Sequence, residues 1–209
     1  MNIDVSILCK NEEVNIRGCI ESLIAAGLKQ ITVVDSGSTD GTLDIASEYK
    51  VAVSNYSYLD HAKAYNDITG GSLCGQLNMI LDADMRVSRE LVQELRALVA
   101  QEVEAPVFEF PVKMVVEGIE LNHASLYPPK PIVFRGGAEY FFSKGHGEAI
   151  VQGTQVARGK SWLIHDDRKV FSEFLGNQIR YASKTVALSK LGTISWKDRI
   201  RMRSPLGVL

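Results

Sequence analysis

Val5-Ser6-Ile7-Leu8, Ile31-Thr32-Val33-Val34 and Met79-Ile80-Leu81 are short, almost uninterrupted apolar runs, and the last two end directly in Asp35 and Asp82. Such runs are too short for helices and fit strands buried on both faces, as in a parallel sheet. Between the first two runs, Glu12 to Ala25 places Val14, Cys19, Ile20, Leu23 and Ile24 in a broadly helical arrangement, with Gly27 positioned to stop it. A second helix passes through Leu43, Ile45, Ala46 and Tyr49. Strand, helix, strand and helix in this order define a βαβ unit. Ligands of open α/β sheets lie in the crevice outside the carboxyl ends of the strands, so Asp35 and Asp82-Ala83-Asp84 are expected to face one crevice. Two carboxylates one residue apart can hold a hard divalent cation against a diphosphate. Asp is also a common turn residue, and an isolated DxD carries little weight.

The stretch from Val51 to Gln76 shows no clear period. Ser88 caps a helix with Leu91, Val92, Leu95, Leu98 and Val99 on one face. Past Ala105, the residues Phe108, Phe110, Val112 and Met114 alternate with Glu109, Pro111 and Lys113, which predicts an exposed antiparallel strand. Tyr127 to Pro131 reads as a loop, strands follow near Ile132–Arg135 and Tyr140–Ser143, and a helix runs from Lys169 to Leu191.

A length of 209 residues suits one α/β domain. No apolar run approaches the ~20 residues that span a bilayer, and Met1-Asn2-Ile3-Asp4 lacks the positive start of a secretory signal. Cys9, Cys19 and Cys74 form no CxxC pair, so buried reduced thiols are expected, and these features together predict a cytoplasmic protein. From Phe174 onward seven basic residues accompany one acidic residue, Asp198, giving a tail of +6 on a body of −8 for a formal total of −2. An acidic body argues against a nucleic-acid enzyme. A basic tail suits anionic lipid head groups or is a solvated helix face.

The segments Ile7-Leu8-Cys9-Lys10-Asn11-Glu12-Glu13, Val33-Val34-Asp35-Ser36-Gly37-Ser38-Thr39-Asp40-Gly41-Thr42 and Ile80-Leu81-Asp82-Ala83-Asp84 together resemble family 2 glycosyltransferases. The resemblance implies a GT-A nucleotide-binding α/β fold, with a mostly parallel central sheet, helices on both faces and a smaller antiparallel acceptor-side portion. It implies a domain over residues 1–191, with a nucleotide-sugar-binding half (1–104) and an acceptor-binding half (105–191), followed by a basic tail (192–209). Asp35 would contact the uracil or ribose of a UDP-sugar, with Leu8, Lys10 and Glu12 lining the base pocket. Asp82 would lie near the ribose and diphosphate, and Asp84 would bind Mn2+ or Mg2+. Lys63 and Asn66 fall where relatives carry a basic residue and an asparagine, within a His61-Ala62-Lys63-Ala64-Tyr65-Asn66 segment that departs from the usual pattern.

The second half is similar, more loosely, to bacterial lipopolysaccharide-core glucosyltransferases, through Tyr127-Pro128, Phe134-Arg135, Gly145-His146-Gly147-Glu148, His165-Asp166-Asp167-Arg168-Lys169 and Gln178-Ile179-Arg180-Tyr181-Ala182. This likeness implies an inverting transfer, glucose favoured, to a lipopolysaccharide core or other surface glycan. Glu148 is the first candidate for the general base and Asp166 the second. His165 is the first candidate for a further metal ligand and His146 the second, while Arg168 would meet the diphosphate. Similar enzymes often continue into membrane-seeking helices where this chain stops at Leu209, which leaves a short member or a truncated chain as alternatives. Trp196, Ile200 and the flanking arginines suit peripheral membrane contact. A polyprenyl-phosphate acceptor and a non-catalytic nucleotide-binding module remain alternatives. A nucleotidyltransferase is disfavoured because Cys9-Lys10-Asn11-Glu12-Glu13 lacks a glycine-rich loop.

Overall fold

The computed structural model describes residues 2–56, 61–71, 75–101, 104–122, 127–144 and 147–170, with helical positions at 172, 175–176, 179–180, 182–183 and 186. The apolar runs form β1 (Asp4–Cys9), β2 (Gln30–Asp35) and β4 (Leu77–Asp82), joined by β3 (Ala52–Asn55). All four are parallel, β1 lying between β2 and β4 and β3 beyond β2. Helix α1 (Ile16–Ala25) links β1 to β2, α2 (Thr42–Glu48) links β2 to β3, and α3 (His61–Gly70) precedes β4. A two-residue β5 (Met85–Arg86) and α4 (Arg89–Ala100) follow.

Both faces of the sheet are covered. Ile7, Val33 and Leu81 join one core with Ile16, Ile20 and Leu23 of α1 and Leu91 and Leu95 of α4. Leu8, Val34 and Ile80 point the other way, into a core with Ala62, Tyr65 and Ile68 of α3. The alternation of strand side chains thus divides one apolar run between two layers. Helix α4 begins as its sequence predicts, the Ser88 hydroxyl accepting from the Leu91 amide at 3.1 Å.

The second half continues the same sheet. Strands β6 (Val107–Phe110), β9 (Lys130–Arg135) and β12 (Val156–Arg158) extend it in the order β12-β6-β9-β4-β1-β2-β3. Four of its pairings are parallel, and β9 is antiparallel to both β4 and β6. The expected exposed strand through Phe108–Met114 is therefore two different strands. Phe108 and Phe110 are fully buried in β6, inside the central sheet. After Pro111 the chain enters β7 (Val112–Val116), which joins β8 (Ile119–Glu120), β13 (Leu163–Asp166) and β5 in a four-stranded sheet. The alternation is real, but the intervening Glu109 and Lys113 lie near strand ends where their carboxylate and ammonium reach Arg158 and Glu120. A hairpin of β10 (Phe141–Lys144) and β11 (Gly147–Ile150) packs on α3.

Cys9 and Cys19 are buried and reduced, and Cys74 lies outside the described residues. No described helix is long and apolar enough to cross a membrane. The tail containing Trp196 and Ile200 also lies outside the described residues.

Gly159 shows how tightly β6 is packed. A Cβ there would sit 2.1 Å from Cε1 of Phe110, whose ring has no room to retreat. Gly159→Ala is expected to cost about 2 kcal/mol through overpacking, read as a lowered urea midpoint at unchanged slope. A change within about 0.5 kcal/mol would show that the β12 end yields freely.

Candidate functional site

The chain turns in opposite directions from β1, to β2 on one side and β4 on the other, which creates a switch-point crevice at the carboxyl end of β1. Register offsets the two carboxylates by one residue along β1, since Cys9 pairs with Asp35 and Leu8 pairs with both Val34 and Asp82. At the usual strand spacing, Asp35 and Asp82 flank β1 about 10 Å apart.

Asp35 is held by the turn that follows it. Its carboxylate accepts from the Gly37 amide at 2.9 Å and the Ser38 amide at 3.0 Å, and from the Ser38 hydroxyl. Gly37 adopts φ 92°, the left-handed conformation that aims its amide inward. Burial opposes ionisation here, but the Ser38 and Gly37 donors outweigh it and hold the carboxyl below its ordinary range. The neighbouring loops zip together, with Asn11 Oδ1 accepting from Thr39 N at 2.8 Å and Thr42 Oγ1 from Glu12 N at 2.8 Å.

Glu12 is partly buried and ion-paired with Lys169, far along the chain. Burial raises its carboxyl above the ordinary value despite the donors Lys169 and Asn15. Asn15 is the organiser. Although it precedes α1, its side chain makes no cap hydrogen bond to that helix. Its Nδ2 donates at 2.9 Å to Glu12 and at 2.9 Å to Asp167, while its Oδ1 accepts from Arg168 N at 2.9 Å. It is fully buried. Sequence reasoning misses Asn15, because an asparagine just before a helix gives no signal beyond ordinary capping.

Asp84 and His165 meet because β5, which follows Asp84 directly, pairs antiparallel with β13 and sets His165 opposite Met85. His165 Nε2 lies 3.2 Å from Asp84 Oδ2, and Asp166 N donates to Asp84 O at 2.8 Å. Burial would lower the imidazole's basicity, but the Asp84 carboxylate outweighs it and raises His165 above its ordinary value. Asp84 Oδ1 and His165 Nδ1 are buried without hydrogen-bond partners among the described residues. A carboxylate oxygen left so is costly unless a cation compensates it. Two ligand atoms at about 2.1 Å from one ion and at right angles would stand roughly 3 Å apart. The pair therefore fits two corners of a divalent-ion site. Among the described residues no group of three or more His, Cys, Asp or Glu converges as a metal cluster.

Asp82 pairs instead with Lys130, Nζ to Oδ2 at 2.6 Å. Tyr127 lies over His165, ring centroids 4.8 Å apart. Arg86 ties the turn together, donating to Ala83 O at 2.9 Å and standing 3.7 Å from Asp166 Oδ2. Lys130 and Arg86 give no site signal in the sequence, and Tyr127 enters it only through the looser resemblance of the second half, because the segments that bring them here are remote from the DxD or follow it as an ordinary strand.

The other candidates scatter. Leu8 faces the α3 core, and Lys10 is exposed beside the Asp35 turn. Lys63 pairs with Asp67 one turn on at 2.5 Å, and Asp67 also takes the Tyr56 hydroxyl. Asn66 braces the hairpin, its Oδ1 accepting from the Tyr140 and Phe141 amides at 3.0 Å. Arg168 is largely exposed, with Nε 3.0 Å from Asp166 Oδ2. Asp166 thus faces two guanidinium groups. Glu148 is in strand β11 opposite Ser143 rather than in a loop, and its side chain and His146 lie outside the described residues. A cleft of about 510 Å3, lined in part by Glu117, Ile164, Asp166 and Arg168, opens beside this edge. A second cleft, of about 580 Å3, lies at the amino ends of β1 and β2, away from every carboxylate discussed above.

A mostly parallel sheet with a carboxylate at each of two strand ends, and an acid–imidazole pair beside them, defines an α/β fold with a ligand crevice at its strand ends. Residues 4–124 match the family described as glycosyl transferase family 2, and the chain belongs to that family. Its fold is similar to that of glucosyl-3-phosphoglycerate synthase from Mycobacterium tuberculosis, solved with Mn2+, uridine diphosphate and phosphoglyceric acid. The TM-score is 0.60 at 15% identity, over 93% of this chain and 80% of that one. S. aureus TarS 1-349 is similar at TM-score 0.50 and 22% identity, over 61% of this chain. The match spans only 39% of the TarS chain's own length.

Proposed function

We propose that this chain is an inverting glycosyltransferase that takes a sugar from a UDP-sugar donor, with a divalent ion, Mn2+ or Mg2+, held at Asp84 and His165. The observation that carries the reading is the buried Asp84–His165 pair, with an unpartnered carboxylate oxygen, at the strand end just beyond Asp82. The M. tuberculosis enzyme of similar fold was solved with Mn2+ and uridine diphosphate bound, which supports the same assignment.

Asp35, fixed by its turn, accepts from the uracil imide or ribose hydroxyls in this reading, with the strand end at Leu8–Lys10 and Glu12 as the proposed lining of the base pocket. Asp82 lies toward the ribose and diphosphate. Lys63 and Arg168 are proposed as further donor contacts, and Arg168 has the exposed guanidinium a diphosphate can meet. A bound divalent ion supplies positive charge to the nucleoside diphosphate as it leaves. The base takes the acceptor hydroxyl's proton while that oxygen bonds to the anomeric carbon and the bond to the diphosphate breaks. A single displacement of this kind inverts the centre. Glu148 is the proposed base, because the second candidate, Asp166, already faces Arg86 and Arg168. Glucose is the proposed sugar and a lipopolysaccharide core or other surface glycan the proposed acceptor, on the likeness of the second half. The domain division at residues 104 and 191 and contact of the basic tail with the inner membrane face belong to the same proposal.

Calorimetric titration with a panel of nucleotide sugars, with and without Mn2+, tests the donor site. Selective, Mn2+-dependent binding of one UDP-sugar is expected. Binding of no nucleotide under any condition would overturn the reading.

A further inference from the structure

The short segment from Tyr127 to Lys130 touches both halves of the acidic cluster. The Tyr127 ring packs at a tilt against His165, and three residues later the Lys130 ammonium meets Asp82. Pro128 and Pro129 lie between, and two prolines with fixed φ set the reach from one contact to the other. Lys130 then enters β9, where its backbone pairs with Phe110. The ammonium is therefore delivered from an interior strand and not from a flexible loop tip. Its side chain is 23% exposed and that of Asp82 30%, so the pair sits at the crevice wall and is only partly screened.

Two neighbouring carboxylates, Asp82 and Asp84, present a chemical ambiguity to a hard cation, since either can ligate it. The structure separates them by partner. Asp84 is turned to His165 with one oxygen unpartnered, while Asp82 is turned to Lys130. The geometry points to Lys130 as a positioning residue: it is the resident counter-ion of Asp82, keeping that carboxylate out of the metal's coordination and reserving it as a hydrogen-bond acceptor for the nucleoside. The inference rests on the proposed Asp84–His165 metal site and adds the device that makes the two carboxylates unequal. It also places a positive charge beside the diphosphate that does not depend on the ion.

Lys130→Met removes the charge and keeps the length of the side chain. Mn2+ binding to the nucleotide-free protein, followed by the electron paramagnetic resonance signal of free Mn2+, is expected to tighten roughly tenfold, because Asp82 loses that counter-ion and turns to the metal. UDP binding at saturating Mn2+, followed by calorimetry, is expected to weaken roughly tenfold in the same variant. Lys130→Arg is expected to return both values toward those of the unsubstituted chain. Asp82→Asn combined with Lys130→Met is expected to bring Mn2+ affinity back to the starting level.

A merely structural lysine would weaken both affinities together, and that result in Lys130→Met would overturn the inference. So would unchanged Mn2+ affinity in a variant whose circular dichroism matches the parent. If the unsubstituted protein binds UDP with Mn2+ but Lys130→Met behaves identically, only the role of Lys130 falls. If the unsubstituted protein binds neither, the metal-site reading falls and Lys130 with it.

Discussion

Asp84→Asn is expected to abolish Mn2+-dependent UDP binding and to lower sugar transfer by about three orders of magnitude, the factor that ~4 kcal/mol of lost transition-state stabilisation produces. The cause is local. Asp84 Oδ1 is buried without a partner among the described residues, while its other oxygen contacts His165. A neutral amide at this position offers an ion one weak oxygen in place of an anionic one. Loss of a Lewis acid at a departing diphosphate removes several kcal/mol of that stabilisation. Thermal unfolding separates this effect from misfolding. The unsubstituted protein should gain several degrees in Tm with Mn2+ and UDP together, and the variant none, because only a ligand that binds the native state shifts the equilibrium. An Asp84→Asn variant that kept its Mn2+-dependent shift would remove Asp84 from the site.

Glu148→Gln is expected to leave UDP affinity unchanged while kcat drops roughly 10²–10⁴-fold, the range lost when a positioned general base is removed. The split between binding and turnover is the informative part. Glu148 lies in a hairpin packed on α3, outside the β1, β2 and β4 strand ends that form the proposed donor crevice. Its replacement should therefore spare the nucleotide. Parallel loss of binding and turnover would assign Glu148 to the donor pocket, and full activity would end its candidacy as base. Asp166, which faces Arg86 and Arg168, would then be the next carboxylate to substitute.

The donor half is largely legible in the sequence because its strands are buried on both sides and end in carboxylates. The runs Val5–Leu8, Ile31–Val34 and Met79–Leu81 fall within one or two residues of the observed strands. Val51–Gln76 is opaque for a physical reason. Strand β3 is a largely exposed edge, Ala-Val-Ser-Asn, and α3 buries two alanines and Thr69 along with Tyr65 and Ile68, so neither shows a strong apolar period. Pro111 conceals the change of sheet between Phe110 and Val112, because a two-residue alternation continues unbroken across it. In the site, Asp35 and the Asp82–Asp84 pair can be placed from strand ends alone. Lys130, Tyr127, Arg86 and Asn15 cannot, since their importance lies in contacts across many residues of chain, and side-chain type alone does not mark them.

Asn15 sets an order of events for the growing chain. Residues 1–56 contain β1, β2 and β3, whose parallel pairings need nothing from later in the sequence. The rim of the crevice is different, because Asn15 closes it only against Asp167 and Arg168, and Lys169 only against Glu12. During synthesis the crevice is thus framed once β4 has followed these strands, but sealed only after residue 169 has emerged. Until then an asparagine and a glutamate wait in water for partners about 150 residues downstream.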